Sequence, residues 1–103
     1  MAIQNEVLGT TLAPVYTSSG NSAVTAIYLC NTSGSTASFS MFAVPSGDVA
    51  DPATNMIYST VQIAPSDTYV IDTEKLILED SDSLVALASS VGSIIATVSF
   101  LRI

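Results

Sequence analysis

Residues 83–103 read SLVALASSVGSIIATVSFLRI and carry no charge before Arg102. A stretch of that length and apolarity is long enough for a membrane-spanning helix. Its residue types argue for strands instead. The second half, residues 94–103, is dense in β-branched and aromatic side chains, which fit a pleated surface better than a helix. Two faces alternate there, with Ile94, Ala96, Val98 and Phe100 on one and Ile95, Thr97, Ser99 and Leu101 on the other. Spanning helices are commonly flanked by basic residues, whereas the upstream flank here is Glu79, Asp80 and Asp82. The reading is therefore two strands joined by the small-residue turn 89–93, forming a closing hairpin.

Outward from that stretch, the chain repeats the same grammar. Residues 3–8 are a short extended segment, either a strand or an arm laid on a neighbouring subunit. Residues 12–17 form a strand placed at an edge by Pro14, which lacks a ladder donor. Residues 23–31 alternate Val24, Ala26, Tyr28 and Cys30 against Ala23, Thr25, Ile27 and Leu29. Both sets are mostly apolar, which predicts a central strand covered on both sides. A glycine-containing loop of hairpin length follows. In residues 36–44, Ala37, Phe39, Met41 and Ala43 form an inward face and Thr36, Ser38 and Ser40 an outer one. Phe42 interrupts the hydroxyl-bearing outer face and is a candidate contact residue. Residues 45–54 are the longest irregular stretch, of the kind that often carries function. Residues 55–63 resume extended structure. Residues 68–71 and 75–78 are two short strands or one bent strand.

This pattern of about eight or nine short strands, with turns every eight to twelve residues, predicts an all-β antiparallel β-sandwich. Two packed sheets are preferred over a barrel, with a jelly roll as one arrangement of them. The 103 residues suit one domain, 1–103, with 1–10 as a candidate extended N-terminal arm.

Only 11% of the residues are charged, so Ser, Thr, Asn and apolar atoms must make up most of the surface. Such a surface favours association. Net charge is −7, with Lys75 and Arg102 the only cations. Two cations build no basic patch, which disfavours nucleic acid and anionic membranes as partners. The one cysteine, Cys30, permits no intrachain disulfide and is expected as a buried, inert thiol. The first residues lack the basic and apolar regions of a secretion signal, so synthesis and folding in a cytosol are expected. The sequon Asn31-Thr32-Ser33 is discounted on the same ground.

Catalytic chemistry finds little material. Histidine is absent. Cys30 and the many serines thus have no imidazole base to activate them. Lys75 lies among Asp72 and Glu74, which favour its charged, non-nucleophilic form. No enzyme activity and no cofactor are expected. The remaining constellation is acidic. Asp80 and Asp82 are the candidates for a calcium ligand pair, with Asp67 or Asp48 joining from another loop. Against this, Val85 stands where a calcium loop needs its turn glycine, and its closing glutamate is missing. The alternative is a solvated acidic turn that discourages edge-to-edge pairing. Arg102, on the face of Phe100, is either an intersubunit salt-bridge partner or a surface charge. Phe42, Asp48, Asp51 and Arg102 are the interface candidates.

Three segments also look familiar together: VYTSSGN at 15–21 running into AIYLCNT at 26–32, AVPSG at 43–47, and DTYVIDTEKLILE at 67–79 through SLVA at 83–86. The chain resembles a group of small all-β structural proteins of tailed bacteriophages, common among phages of cyanobacteria and other aquatic hosts. It departs from them at Glu79-Asp80-Ser81-Asp82, where the group often has a glycine-containing turn. The resemblance implies a virion component without enzymatic role. One form is a capsid decoration or cement protein, a homotrimer seated on the major capsid protein through the N-terminal arm and the 45–54 loop. The alternative is a tail, neck or fibre adaptor, with Tyr16, Tyr58 or Tyr69 as exposed contacts.

Overall fold

The structure, a computed structural model, describes residues 2–72 and 76–103. Nine strands follow one another: β1 (Ala2–Val7), β2 (Ala13–Thr17), β3 (Ser22–Asn31), β4 (Ala37–Val44), β5 (Met56–Ile63), β6 (Thr68–Ile71), β7 (Leu76–Leu78), β8 (Ser83–Ala88) and β9 (Ile94–Arg102). They form two sheets. One has the order β1-β9-β3-β6, with β7 pairing the same edge of β3 as β6; the other has the order β2-β8-β4-β5. All pairings are antiparallel. No helix among the described residues is long and apolar enough to cross a membrane.

Taking β6 and β7 as one broken strand, the pairs nest: first with last, second with second-last, and so inward to β4 with β5. This is a long hairpin rolled on itself, the topology of a jelly roll. The two short segments over 68–71 and 76–78 thus act as one bent strand along β3. Lys75, expected in its charged form, lies outside the described residues.

The stretch 83–103 does form two strands, and Ile94, Ala96, Val98 and Phe100 are its buried set. The expected closing hairpin, however, is not there. β8 lies in one sheet and β9 in the other. Each strand has one apolar face. Pairing them side by side would leave both faces on the same side with nothing opposite. Crossing over instead sets Leu84, Ala86 and Ala88 into the same core as the β9 residues. The turn 89–93 is fixed by Ser93 Oγ donating to the Ser90 carbonyl (3.0 Å) and by Gly92 at φ 74°, with its N–H on the Leu8 carbonyl (3.1 Å).

The β3–β4 loop is also a crossing rather than a hairpin. Its pivot is Asn31, which is fully buried. The Asn31 amide donates to the carbonyls of Ser35 (2.9 Å), Ile63 (3.0 Å) and Ala64 (3.3 Å). Its Oδ1 accepts from the Ser33 N–H (3.0 Å) and hydroxyl (2.7 Å). One side chain thereby ties the β3–β4 crossing to the end of β5. A second buried polar knot closes the β2–β3 crossing. Tyr16 Oη donates to Ser22 Oγ (2.9 Å), which lies 2.7 Å from Ser18 Oγ, while the Tyr16 ring packs on Phe100 at 4.3 Å.

Two strands depart from simple alternation. In β3 the register shifts between Val24 and Ala26, opposite β9. The bulge changes phase, so Val24, Ile27 and Leu29 share the core face, and Ala26 and Tyr28 do not. The strand is covered on one side only, with Tyr28 43% exposed. β5 shifts register twice against β4 and carries Thr60 at φ 49°, a left-handed conformation that a β-branched residue rarely takes. Phe39, read as inward, is in the core, its ring 6.1 Å from that of Tyr58 and 5.7 Å from that of Tyr69.

Candidate interaction surface

The pleat assigns each residue of the β1-β9-β3-β6/β7 sheet to a face. Core residues Ile94, Ala96, Val98 and Phe100 fix the inner side. Their neighbours in β9 then fix the outer side, and the registers carry that assignment across the sheet. One outer row is Val7, Ile95, Cys30 and Thr68. The next is Asn5, Thr97, Tyr28 and Val70. Ile3, Ser99 and Ala26 follow, then Leu101, Ala23 and Ile77. No charged side chain of the described strand residues falls in these rows. Glu6 pairs with Ala96 and so belongs to the inner side. Asp67 and Asp72 stand beyond the ends of β6.

This face is also where apolar surface is left uncovered. Ile3 (68%), Val7 (58%), Ile77 (64%), Leu101 (44%), Val70 (43%) and Tyr28 are six of the twelve large apolar side chains that the described residues leave exposed. Scattered exposed apolar residues are ordinary; a contiguous set is a mark of an interaction site. Cys30 lies in this face and is partly exposed, not buried as expected. The bulge and the single-sided cover of β3 account for the difference.

The opposite sheet presents a different outer side. Phe42 stands between Val85 and Met56, with Pro14 beyond Val85. Phe42 does lie on the outer face, but it is 2% exposed and so offers no contact from the single chain. Its apolar neighbours on both sides, and a β4–β5 loop that returns beside it through Ala43 N–H to Asn55 O (3.0 Å), place it in a covered environment.

The remaining interface candidates are spread out. Asp48 is exposed in the β4–β5 loop, next to Val49, which is 78% exposed. Asp51 is half-buried and organises that loop. Its Oδ1 accepts the Ala53 N–H (2.9 Å) and its own N–H donates to Asn55 Oδ1 (2.9 Å). Arg102 is exposed at the end of β9, beside a hollow lined by Ala2, Phe100 and Leu101.

Asp80 and Asp82 each turn to the backbone rather than to each other. Asp80 Oδ1 accepts the Gly20 N–H (2.8 Å). Asp82 Oδ1 accepts the Ser46 N–H (2.8 Å), and Oδ2 accepts the Glu79 N–H (3.0 Å). The pair therefore ties the β7–β8 turn to the β2–β3 and β4–β5 connections. Among the described residues no group of three or more potential metal ligands comes together. Ser81, within this turn, takes φ 70°.

Tyr16 is buried at 3%, which removes it as a surface contact. Tyr58 and Tyr69 are partly exposed, with rings 6.3 Å apart. Beside Tyr58 a cavity of about 270 Å³ is lined by Ile27, Ile57, Ile71 and Leu76. Its walls are hydrocarbon apart from the tyrosine, which suits packing better than polar recognition.

No family model matches the sequence, and no curated protein matches it. Among solved structures, the chain is similar to one described by the words "Bacillus endospore appendages form a novel family of disulfide-linked pili". The two are 13% identical, over 99% of this chain and 84% of that one, with a TM-score of 0.49.

Proposed function

We propose that this chain is a non-enzymatic structural subunit of a larger assembly and works through contacts with copies of itself and with neighbouring subunits. The observation that carries this reading is the division of labour between its side chains. The groups with chemical potential, Asp51, Asp80, Asp82, Asn31 and the Tyr16–Ser18–Ser22 cluster, are engaged in holding turns and crossings. The surface, meanwhile, leaves open an apolar face to which the described strand residues contribute no charge. An enzyme site would gather reactive groups around a cleft; a building block spends them on shape.

In its specific form, the assembly is a virion shell that the subunit decorates from outside, after synthesis in the host cytoplasm. The sequence resemblance to small phage structural proteins supports this form. Many copies, each with a modest contact, would reinforce such a shell by avidity. The test is to mix the purified protein with undecorated capsids of a phage that encodes it, sediment the particles and count bound copies by quantitative mass spectrometry. Hundreds per particle are expected. Six or twelve would move the subunit to the tail or neck. A protein that never sediments, or that turns over a substrate, overturns the reading.

A further inference from the structure

We infer that the outer face of the β1-β9-β3-β6/β7 sheet binds a second copy of this chain, sheet to sheet, in a two-fold dimer. The inference deepens the structural-subunit reading and rests on it. Three observations lead to a second copy as the occupant.

The first is charge. Two chains of net charge −7 repel, and burying an unpaired carboxylate between them is costly. They can meet closely only where no acid stands. The described strand residues of this face contribute none, while Asp48, Asp51, Asp67, Asp80 and Asp82 all lie in connections outside the strands.

The second is area. From the row of Val7 to that of Leu101, across the width of the sheet, the strand spacing and rise give a flat footprint of about 400 Å². Two such faces, with side-chain relief added, remove roughly 1,000 Å² or more, enough for a specific interface. Sheets stack face to face at about 10 Å when their side chains interdigitate, and Ile3, Tyr28, Val70 and Ile77 supply relief for that.

The third is symmetry. A head-to-tail contact, as in a trimer, needs two different complementary patches. Half of the large apolar side chains that the described residues leave exposed fall on this one face, and on the outer side of the other sheet Phe42 is already covered. A face with no counterpart elsewhere pairs with itself, which gives a dimer in place of the expected trimer.

The test uses the intact chain. Native mass spectrometry and light scattering over a dilution series are expected to give a dimer mass that falls to monomer on dilution. Cys30 lies in the proposed interface and reports on it without mutation. Its labelling by a maleimide should slow several-fold at the concentrations where the dimer mass appears. Tyr28→Asp and Ile77→Asp are expected to yield monomers with unchanged far-ultraviolet circular dichroism. Val49→Asp, at a residue more exposed than either but in the β4–β5 loop, should remain dimeric.

If a face variant fails to fold, the wild-type labelling experiment still decides. A Cys30 rate independent of concentration, or an oligomer that survives both face variants, overturns the face assignment but leaves the structural-subunit reading standing. A wild-type chain that stays monomeric at every concentration overturns the dimer, and binding of that monomer to capsids would then assign the face to a different protein. A monomer that also ignores capsids sinks both readings.

Discussion

Replacing Asn31 with leucine removes a fully buried amide of nearly the same volume and tests whether the β3–β4 crossing hangs on that side chain. Five hydrogen bonds are lost. The bond to the Ile63 carbonyl is buried, so water does not replace the lost donor and the loss costs about 1–3 kcal/mol. The Ser35, Ala64 and Ser33 groups are nearer to water and can rehydrate, so each loses only the net value of a bond, about 0.5–1 kcal/mol. The added apolar burial of leucine returns about 1 kcal/mol. The balance is a loss of roughly 2–6 kcal/mol. For a domain of this size that lowers the melting temperature by about 10–30 °C. Urea unfolding followed by circular dichroism measures it, with Thr32→Ala, an exposed neighbour, as the control. A loss below about 1 kcal/mol would show that the crossing is held by packing alone and that the amide is incidental.

Phe39→Ala should cost about 3–5 kcal/mol in the same assay, and Phe42→Ala about 3 kcal/mol despite its place on the outer face; a near-neutral Phe42 variant would mean that the side chain is on the surface after all. Thr60→Gly should stabilise the fold by up to about 1 kcal/mol, since it relieves a left-handed β-branched residue; a loss of stability would refute the strain. Asp82→Ala should cost about 1 kcal/mol through release of the Ser46 and Glu79 amides. Millimolar calcium should leave the melting temperature of the wild type unchanged, because the carboxylates of Asp80 and Asp82 already hold backbone N–H groups; a calcium-dependent rise would restore the metal reading.

Much of this fold could be read from alternation. The β9 pattern and the inward set of β4 are local facts, and a strand buried on one face writes them directly into the sequence. The bent strand along β3 was also visible, as two short apolar runs in close succession. Connections were harder. A five-residue turn between two strands is compatible with a hairpin or with a crossing, and what decides between them is which faces find cover, a property of the whole barrel-like roll and not of residues 89–93. The bulge at Thr25 was equally hidden, because a single extra residue changes phase without a change in composition. For the site, the low charge pointed to a surface rich in Ser, Thr and apolar atoms, and one sheet does leave an apolar face exposed, but the named candidates did not gather in one place. Asp51 holds its own loop, Asp82 ties its turn to the β4–β5 connection, Phe42 is covered, and the apolar face comes from alternate residues of five strands. Cross-strand neighbours more than sixty positions apart, such as Ile3 and Ser99, leave no mark on a sequence read in order.

The nested pairing also bears on how the chain comes off the ribosome. β8 fills the slot between β2 and β4, and β9 the slot between β1 and β3. Until residues 83–88 emerge one sheet is therefore split down its middle, and until residues 94–102 emerge the other is, with the first strand lacking a partner in its own molecule. At synthesis rates of about 5–20 residues per second, the open slots persist for seconds. Strands of a neighbouring nascent chain could enter them, so crowded translation should favour intertwined products over the closed monomer fold.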